Sequence, residues 1–145
     1  MTVRQLSVFI ENKSGTLLQV LELLKKAGIS LIASNIADTV EYGICRIICS
    51  SPEKACAVLK EAGVAVALSE VFAVEIDNEV GRAADVIEVL SAEGLSITYL
   101  YSFLVAGHGV IIFRTDDNCR TAKAIENSKI ENIDEKRLEQ LATKA

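Results

Sequence analysis

Val8-Phe9-Ile10-Glu11-Asn12-Lys13-Ser14-Gly15 returns 66 residues later as Val74-Glu75-Ile76-Asp77-Asn78-Glu79-Val80-Gly81. Carried on without a gap to the pair Gly43/Gly109, the same shift matches ten of thirty-six positions, among them Val20/Val86, Leu24/Leu90, Gly28/Gly94 and Ser30/Ser96. Ordinary residue frequencies give about two or three such matches, so the chain is read as two copies of one supersecondary unit. The glycine pairs mark places where both copies ask the same freedom of the backbone.

Working outward, each copy reads strand, helix, strand, strand, helix, strand. Leu6, Val8 and Ile10 alternate with Ser7, Phe9 and Glu11, and Phe72, Val74 and Ile76 alternate with Ala73, Glu75 and Asp77, the period of a half-buried strand. After Gly15, Leu17, Val20, Leu21 and Leu24 form one apolar helical stripe, repeated as Ala83, Val86, Ile87 and Leu90. Second strands are expected over Ser30–Thr39 and Ser96–Val105, and third strands over Gly43–Cys49 and Gly109–Thr115. Pro52 opens a second helix, matched by one near Asn118–Asn127. Val64–Ser69 reads as the fourth strand of the first copy. Its counterpart, Ile130–Ile133, is short and polar at its centre, Asp134–Lys144 reads as a terminal helix carrying Leu138 and Leu141, and the acidic run Glu131–Glu139 reads as a solvated face.

This order predicts the α+β class, two tandem ferredoxin-like βαββαβ domains over 1–70 and 71–145, the second with a helical tail. Units of this size are marginal alone, and a second strand at a sheet edge offers unpaired backbone groups to an equivalent strand. Side-by-side pairing into one eight-stranded antiparallel sheet is the expected outcome.

Composition narrows function. The 145 residues are 50% hydrophobic with a net charge of −5, which excludes intrinsic disorder. No run approaches the ~20 apolar residues of a membrane span, and the N-terminus lacks the apolar region of a signal peptide, so neither membrane attachment nor export is expected. Residues 1–70 carry seven basic and seven acidic side chains and residues 71–145 eight and thirteen, so no basic face is available for nucleic acid. Cys45, Cys49, Cys56 and Cys119 form no C-x-x-C pair and only one His accompanies them, which points to reduced, mostly buried thiols in a cytoplasmic protein rather than a metal site. Neither a nucleophile–base pair nor a phosphate loop is evident, and His108 between two glycines reads as an exposed hairpin residue without an acidic partner. No enzyme activity and no cofactor are expected.

The candidate site is the duplicated strand-to-helix turn. Asn12, Lys13, Ser14, Gly15, Thr16 and Leu17 make up the first and Asn78, Gly81, Arg82 and Ala83 lie in the second. Helix-start N–H groups carry partial positive charge and suit a carboxylate, glycine lets a ligand approach the backbone, and Asn supplies both donor and acceptor. The same residues also suit an ordinary cap and turn, and their recurrence in both copies brings the binding reading level with that one.

At these residues the sequence resembles the ACT family of amino-acid-sensing regulatory modules, through Val8–Leu17 with Ala27-Gly28-Ile29-Ser30-Leu31, and Glu75–Gly81 with Glu93-Gly94-Leu95-Ser96-Ile97. The likeness spans about residues 4–70 and 71–133. It implies a free amino acid held between paired domains, the first turn facing Ser96, Tyr99 and Tyr101 and the second facing Ser30. A partner enzyme of amino-acid metabolism is expected, and the two units either satisfy each other within one chain or leave edges for a homodimer, the expected state. The family usually places Pro before the Gly, where this chain has Ser14 and Val80, and often Asn where Ser30 and Ser96 stand. Lys13 in the first turn, against Glu79 beside Asp77 in the second, predicts unequal sites with the first preferred. The competing function is a regulatory or structural subunit that binds only a partner protein; a small enzyme on the same scaffold ranks below it.

Overall fold

Alternation of buried and exposed residues in strands, and apolar stripes in helices, can be satisfied only by a sheet with helices on one face. The computed structural model of the protein describes residues 2–11, 15–38, 42–77 and 80–143. By compactness the chain divides into Arg4–Ser69 and a second unit of Glu70–Ala145 with Met1–Val3.

The first unit is built from β1 (Val3–Glu11), α1 (Thr16–Lys26), β2 (Leu31–Asp38), β3 (Tyr42–Cys49), α2 (Pro52–Glu61) and the start of β4 (Val66–Ile76). Its strand order is β2-β3-β1-β4, the ferredoxin-like arrangement. Leu6 and Val8 of β1, Cys45 and Ile47 of β3, Val20 and Leu24 of α1, and Ala55 and Leu59 of α2 form its core. Of the expected stripe, Val20 and Leu24 are buried and Leu17 packs against this core, but Leu23 takes the place expected of Leu21.

The second unit takes the rest of β4, then α3 (Arg82–Ala92), β5 (Ile97–Val105), β6 (His108–Thr115), α4 (Asn118–Glu126), β7 (Glu131–Ile133) and α5 (Glu135–Thr143). Its order, β5-β6-β4-β7, is the same arrangement. Phe72, Val74, Val86, Leu90, Ile111 and Phe113 anchor the core, and the rings of Phe72 and Phe113 stack with centroids 5.7 Å apart.

The repeat extends to the register. Val8 faces Cys45 and Ile10 faces Gly43 in the first unit, while Val74 faces Ile111 and Ile76 faces Gly109 in the second. Both second strands slip register at the same place, between Leu31 and Ala33 and between Ile97 and Tyr99. Gly28 and Gly94 end α1 and α3 with φ of 73° and 69°, and each helix closes through the same pair of backbone bonds, Gly28 N–H to Lys25 and Ile29 N–H to Leu24, Gly94 N–H to Ser91 and Leu95 N–H to Leu90.

Two expectations need correction. The fourth strand of the first copy and the first strand of the second are one continuous strand, β4, so the described strands number seven rather than eight. Ser69-Glu70 carries neither the Gly nor the Pro that would break it. Second, β4 is not half-buried: Val71, Phe72, Ala73 and Val74 are all at or below 1% exposure, as are Val110 to Phe113 of β6. Both faces are covered there. The terminal helix docks through Leu138 and Leu141, which are buried, with Arg137 Nη2 of α5 3.9 Å from Glu75 Oε2 on the sheet face away from α3 and α4, while Glu131 and Glu139 stay exposed as expected. Among the described residues, no helix is long and apolar enough to cross a membrane.

All four cysteines are free, with Cys45, Cys49 and Cys56 buried and Cys119 exposed. Burial pushes the Cys45 thiol above its ordinary range.

Candidate ligand-binding turns and an adjoining cavity

Each strand-to-helix turn is set by a left-handed glycine. Gly15 and Gly81 both adopt φ of 90°, and nothing lies within 4 Å of where a Cβ would stand on either, so backbone conformation rather than crowding demands glycine. Each serves as the N-cap, and glycine has no side chain with which to satisfy the N–H groups of the first turn. By contrast α4 is capped by Asp117, whose Oδ1 accepts from Arg120 N–H at 3.1 Å.

The two turns differ in their side chains. In the first, Thr16 Oγ1 donates to the Glu11 carbonyl at 2.9 Å, and no acidic residue lies in the first turn of α1. In the second, the equivalent position is Arg82, whose Nε donates to Asp77 Oδ1 at 2.9 Å and whose Nη1 lies 3.3 Å from Asp85 Oδ2. Asp85 stands in the first turn of α3, where its carboxylate meets the positive end of the helix. The second turn therefore already holds anionic groups of its own.

Of the expected site residues, Gly15, Thr16 and Leu17 sit together at the start of α1 and Gly81, Arg82 and Ala83 at the start of α3. Asn12, Lys13, Ser14 and Asn78 lie outside the described residues. Ser30 and Ser96 are exposed just ahead of β2 and β5; Ser30 N–H donates to Ser50 Oγ at 3.0 Å and Ser96 N–H to Asp116 Oδ1 at 3.2 Å, again the repeat. Tyr99 and Tyr101 are half-buried and share a face with Arg114 and Ile112, away from α3 and α4. The face of β5 on the helix side carries the exposed Leu100 and Leu104 instead.

Sequence reading misses a cavity of about 550 Å³ inside the second unit. It lies where β4 ends and β6, β7 and α3 begin. Ile76, Val86, Val89 and Ile130 give it an apolar wall, and Arg82, His108, Lys129 and Glu131 are among its polar lining. His108 has an acidic partner after all: its Nδ1 lies against Glu75 Oε1. The reason is register, since Glu75 faces Val110 and His108 is its diagonal cross-strand neighbour. Glu75 also stands directly opposite Glu131 on β7. Like charges in that position repel, and Arg137, with Nη2 3.9 Å from Glu75 Oε2, offsets part of the charge on Glu75. Among the described residues no cluster of His, Cys, Asp and Glu could hold a metal ion.

Comparison with known proteins agrees with the fold. A crystal structure of a protein from Bacteroides thetaiotaomicron is 36% identical over 95% of this chain and 96% of its own, with a TM-score of 0.90. The regulatory subunits of aspartate kinase from Thermus thermophilus, in ligand-free form, and from Thermus flavus align with TM-scores of 0.60 each, at 12% and 16% identity over 86% and 85% of this chain and 91% and 90% of theirs. No curated protein sequence matches. Residues 1–142 match the family described as the ACT domain pair, and the chain belongs to that family.

Proposed function

We propose that the protein is a non-catalytic sensor that binds a free amino acid and, through it, regulates a partner enzyme of amino-acid metabolism. The ligand carboxylate is received by the first-turn N–H groups of α1 at Gly15, Thr16 and Leu17, with Asn12 and Lys13 completing the head-group contacts. The second strand of a paired ACT unit closes the site. One observation carries this reading: α1 begins at a left-handed glycine with no side-chain cap and no acid in its first turn. That leaves partial positive charge without a built-in counter-charge. Membership in the ACT domain pair family supports it, as does the likeness in fold to regulatory subunits of aspartate kinase. Among the described residues of its own unit β2 pairs with β3 alone and β5 with β6 alone, so each has an edge suited to pairing in a homodimer.

A thermal-shift screen of the twenty amino acids tests the reading. A ligand present at a hundred times its Kd stabilises by about 2.7 kcal/mol, whereas a subunit that recognises only another protein responds to none. Calorimetry of Asn12→Ala and Asn78→Ala then ranks the turns: the larger loss of affinity is expected from Asn12→Ala, and equal losses contradict the ranking.

A further inference from the structure

The two units differ on the sheet face turned away from their helices. In the second unit Glu75 of β4 faces Val110 of β6, Val110 faces Phe103 of β5, and Glu75 also stands opposite Glu131 of β7. The helix α5 lies against this row, with Arg137 Nη2 3.9 Å from Glu75 Oε2, and Val110 is 0% exposed. Sixty-six residues earlier the row reads Phe9, Ile44 and Ala37, paired in the same way. Phe9 N–H donates to the Ala65 carbonyl at 2.9 Å, and Ala65 holds the position of Glu131. Four apolar residues thus stand where the second unit has two carboxylates. Nor does the first unit have an α5 of its own, since the stretch equivalent to Glu135–Thr143 begins at Ser69, inside β4. Phe9 is accordingly 49% exposed, Ala37 and Ala65 are exposed and Ile44 is half-buried. A contiguous apolar row open to solvent is the kind of surface that marks an interaction site.

What fits the row is read from the unit in which the position is filled. Arg137, Leu138 and Leu141 fall within about 100° of arc on α5, and both leucines are buried. One step along the first unit's sheet, on the same face, Ser7 and Asn35 flank Arg46. Asn35 Oδ1 is buried there with no hydrogen-bond partner among the described residues, an acceptor that gains from a donor brought to it.

We propose that this face of the first unit docks an amphipathic helix of a partner protein. The helix rests leucine-type side chains on Phe9, Ile44 and Ala37, carries an apolar residue where α5 has Arg137, and brings a side-chain donor to Asn35. Docking uses neither strand-to-helix turn, so it stands apart from amino-acid binding.

The test titrates the full chain with a lactam-bridged peptide of residues 134–143 carrying Arg137→Leu, followed by amide chemical shifts. Saturable shifts are expected at Phe9, Ala37 and Ile44, and the same peptide with Arg137 retained binds about tenfold or more weaker. Phe9→Glu gives the first unit the charge of the second and reverses that order, weakening the Arg137→Leu peptide about tenfold or more and tightening the peptide that keeps Arg137. A purely structural role of Phe9 does not give such a reversal. Ala37→Glu, at an exposed position of an edge strand, weakens the Arg137→Leu peptide by a similar factor and serves as the second variant should Phe9→Glu fail to fold. Absence of saturable shifts at Phe9, Ala37 and Ile44 overturns the proposal, as do shifts confined to Phe103 and Val110, unchanged preference in folded Phe9→Glu, or unchanged affinity in Ala37→Glu. A homodimer in sedimentation that Phe9→Glu or Ala37→Glu dissociates also overturns it, because the row is then filled by a second copy. Failure of the amino-acid screen bears on the turns alone, and failure of the peptide bears on this face alone.

Discussion

The turn before α1 and the turn before α3 share a backbone and differ in charge. Gly15 and Gly81 have the same φ of 90°, and the first helical bonds, Gln19 N–H to Gly15 and Asp85 N–H to Gly81, are equivalent at 3.0 and 3.1 Å. Yet the first turn has a threonine hydroxyl closing on a backbone carbonyl, and the second has a guanidinium clasped between two carboxylates. Duplication thus preserved what the fold needs, the left-handed glycine and the helix start, while the side chains that decide whether an anion is welcome diverged. Scaffold and function separate cleanly at this one place.

The scaffold half of that comparison predicts the largest effects. Leu24 and Leu90 occupy equivalent core positions at 1% and 0% exposure. Leu24→Ala and Leu90→Ala are each expected to lower stability by about 2–5 kcal/mol in chemical denaturation. A loss below about 1 kcal/mol in either would break the equivalence of the two cores.

The next glycine pair sharpens the contrast. A Cβ on Gly109 would meet Ile76 Cγ1 at 2.9 Å and the Ile76 carbonyl oxygen at 3.0 Å, whereas on Gly43 the nearest atom, Ile36 Cγ2, is 3.6 Å away. Gly109→Ala should cost about 1–3 kcal/mol through overpacking, because backbone cannot swing aside as a side chain can. Gly43→Ala should stay within about 1 kcal/mol of the parent. Equal effects would show that the two glycines stand in equally open space.

Charge accounts for a smaller difference. Replacing Asp77 and Asp85 together by Asn removes the anions beside α3, and affinity at the second turn should rise toward that of the first by about 0.3–1 kcal/mol per carboxylate, read by calorimetry at low salt. No change would mean that the second turn is closed by something other than charge.

The thiol of the first core marks another divergence, for Cys45 occupies the position held by Ile111 in the second unit. An acid whose folded pKa is raised adds stability that is present at lower pH and lost as pH climbs through the ordinary thiol range. The parent should therefore weaken in alkaline solution, and Cys45→Val should lack that share of the loss. Parallel pH–stability curves for the two proteins would contradict the assignment.

Much of this is legible in the sequence because the repeat ties weak local signals together. Val20 and Leu24, and Val86 and Leu90, are buried where the stripes place them, and Gly43 and Gly109 sit in the same register of their sheets. The continuous strand β4 escapes such a reading, since a boundary between copies suggests a boundary between strands although Ser69-Glu70 contains neither Gly nor Pro. Its burial on both faces is visible in the unbroken run Val71-Phe72-Ala73-Val74, which does not alternate. The cavity is hidden for a different reason. Lys129 and Glu131 meet Glu75 and His108 only through the pairing of a three-residue strand, β7, with β4, a long-range contact that no local pattern announces.

The proposed amino-acid sensing turns on the start of α1 as the place where a ligand carboxylate would be received. Amide chemical shifts of Thr16, Leu17 and Leu18, followed while each of the twenty amino acids is titrated into the full chain, address it without intermediaries. Saturable movement of these three amides is expected for at least one amino acid, at lower concentration than any movement of Arg82, Ala83 and Ala84. If all twenty leave Thr16, Leu17 and Leu18 unmoved, or if the α3 amides respond first, the start of α1 is not the receiving site.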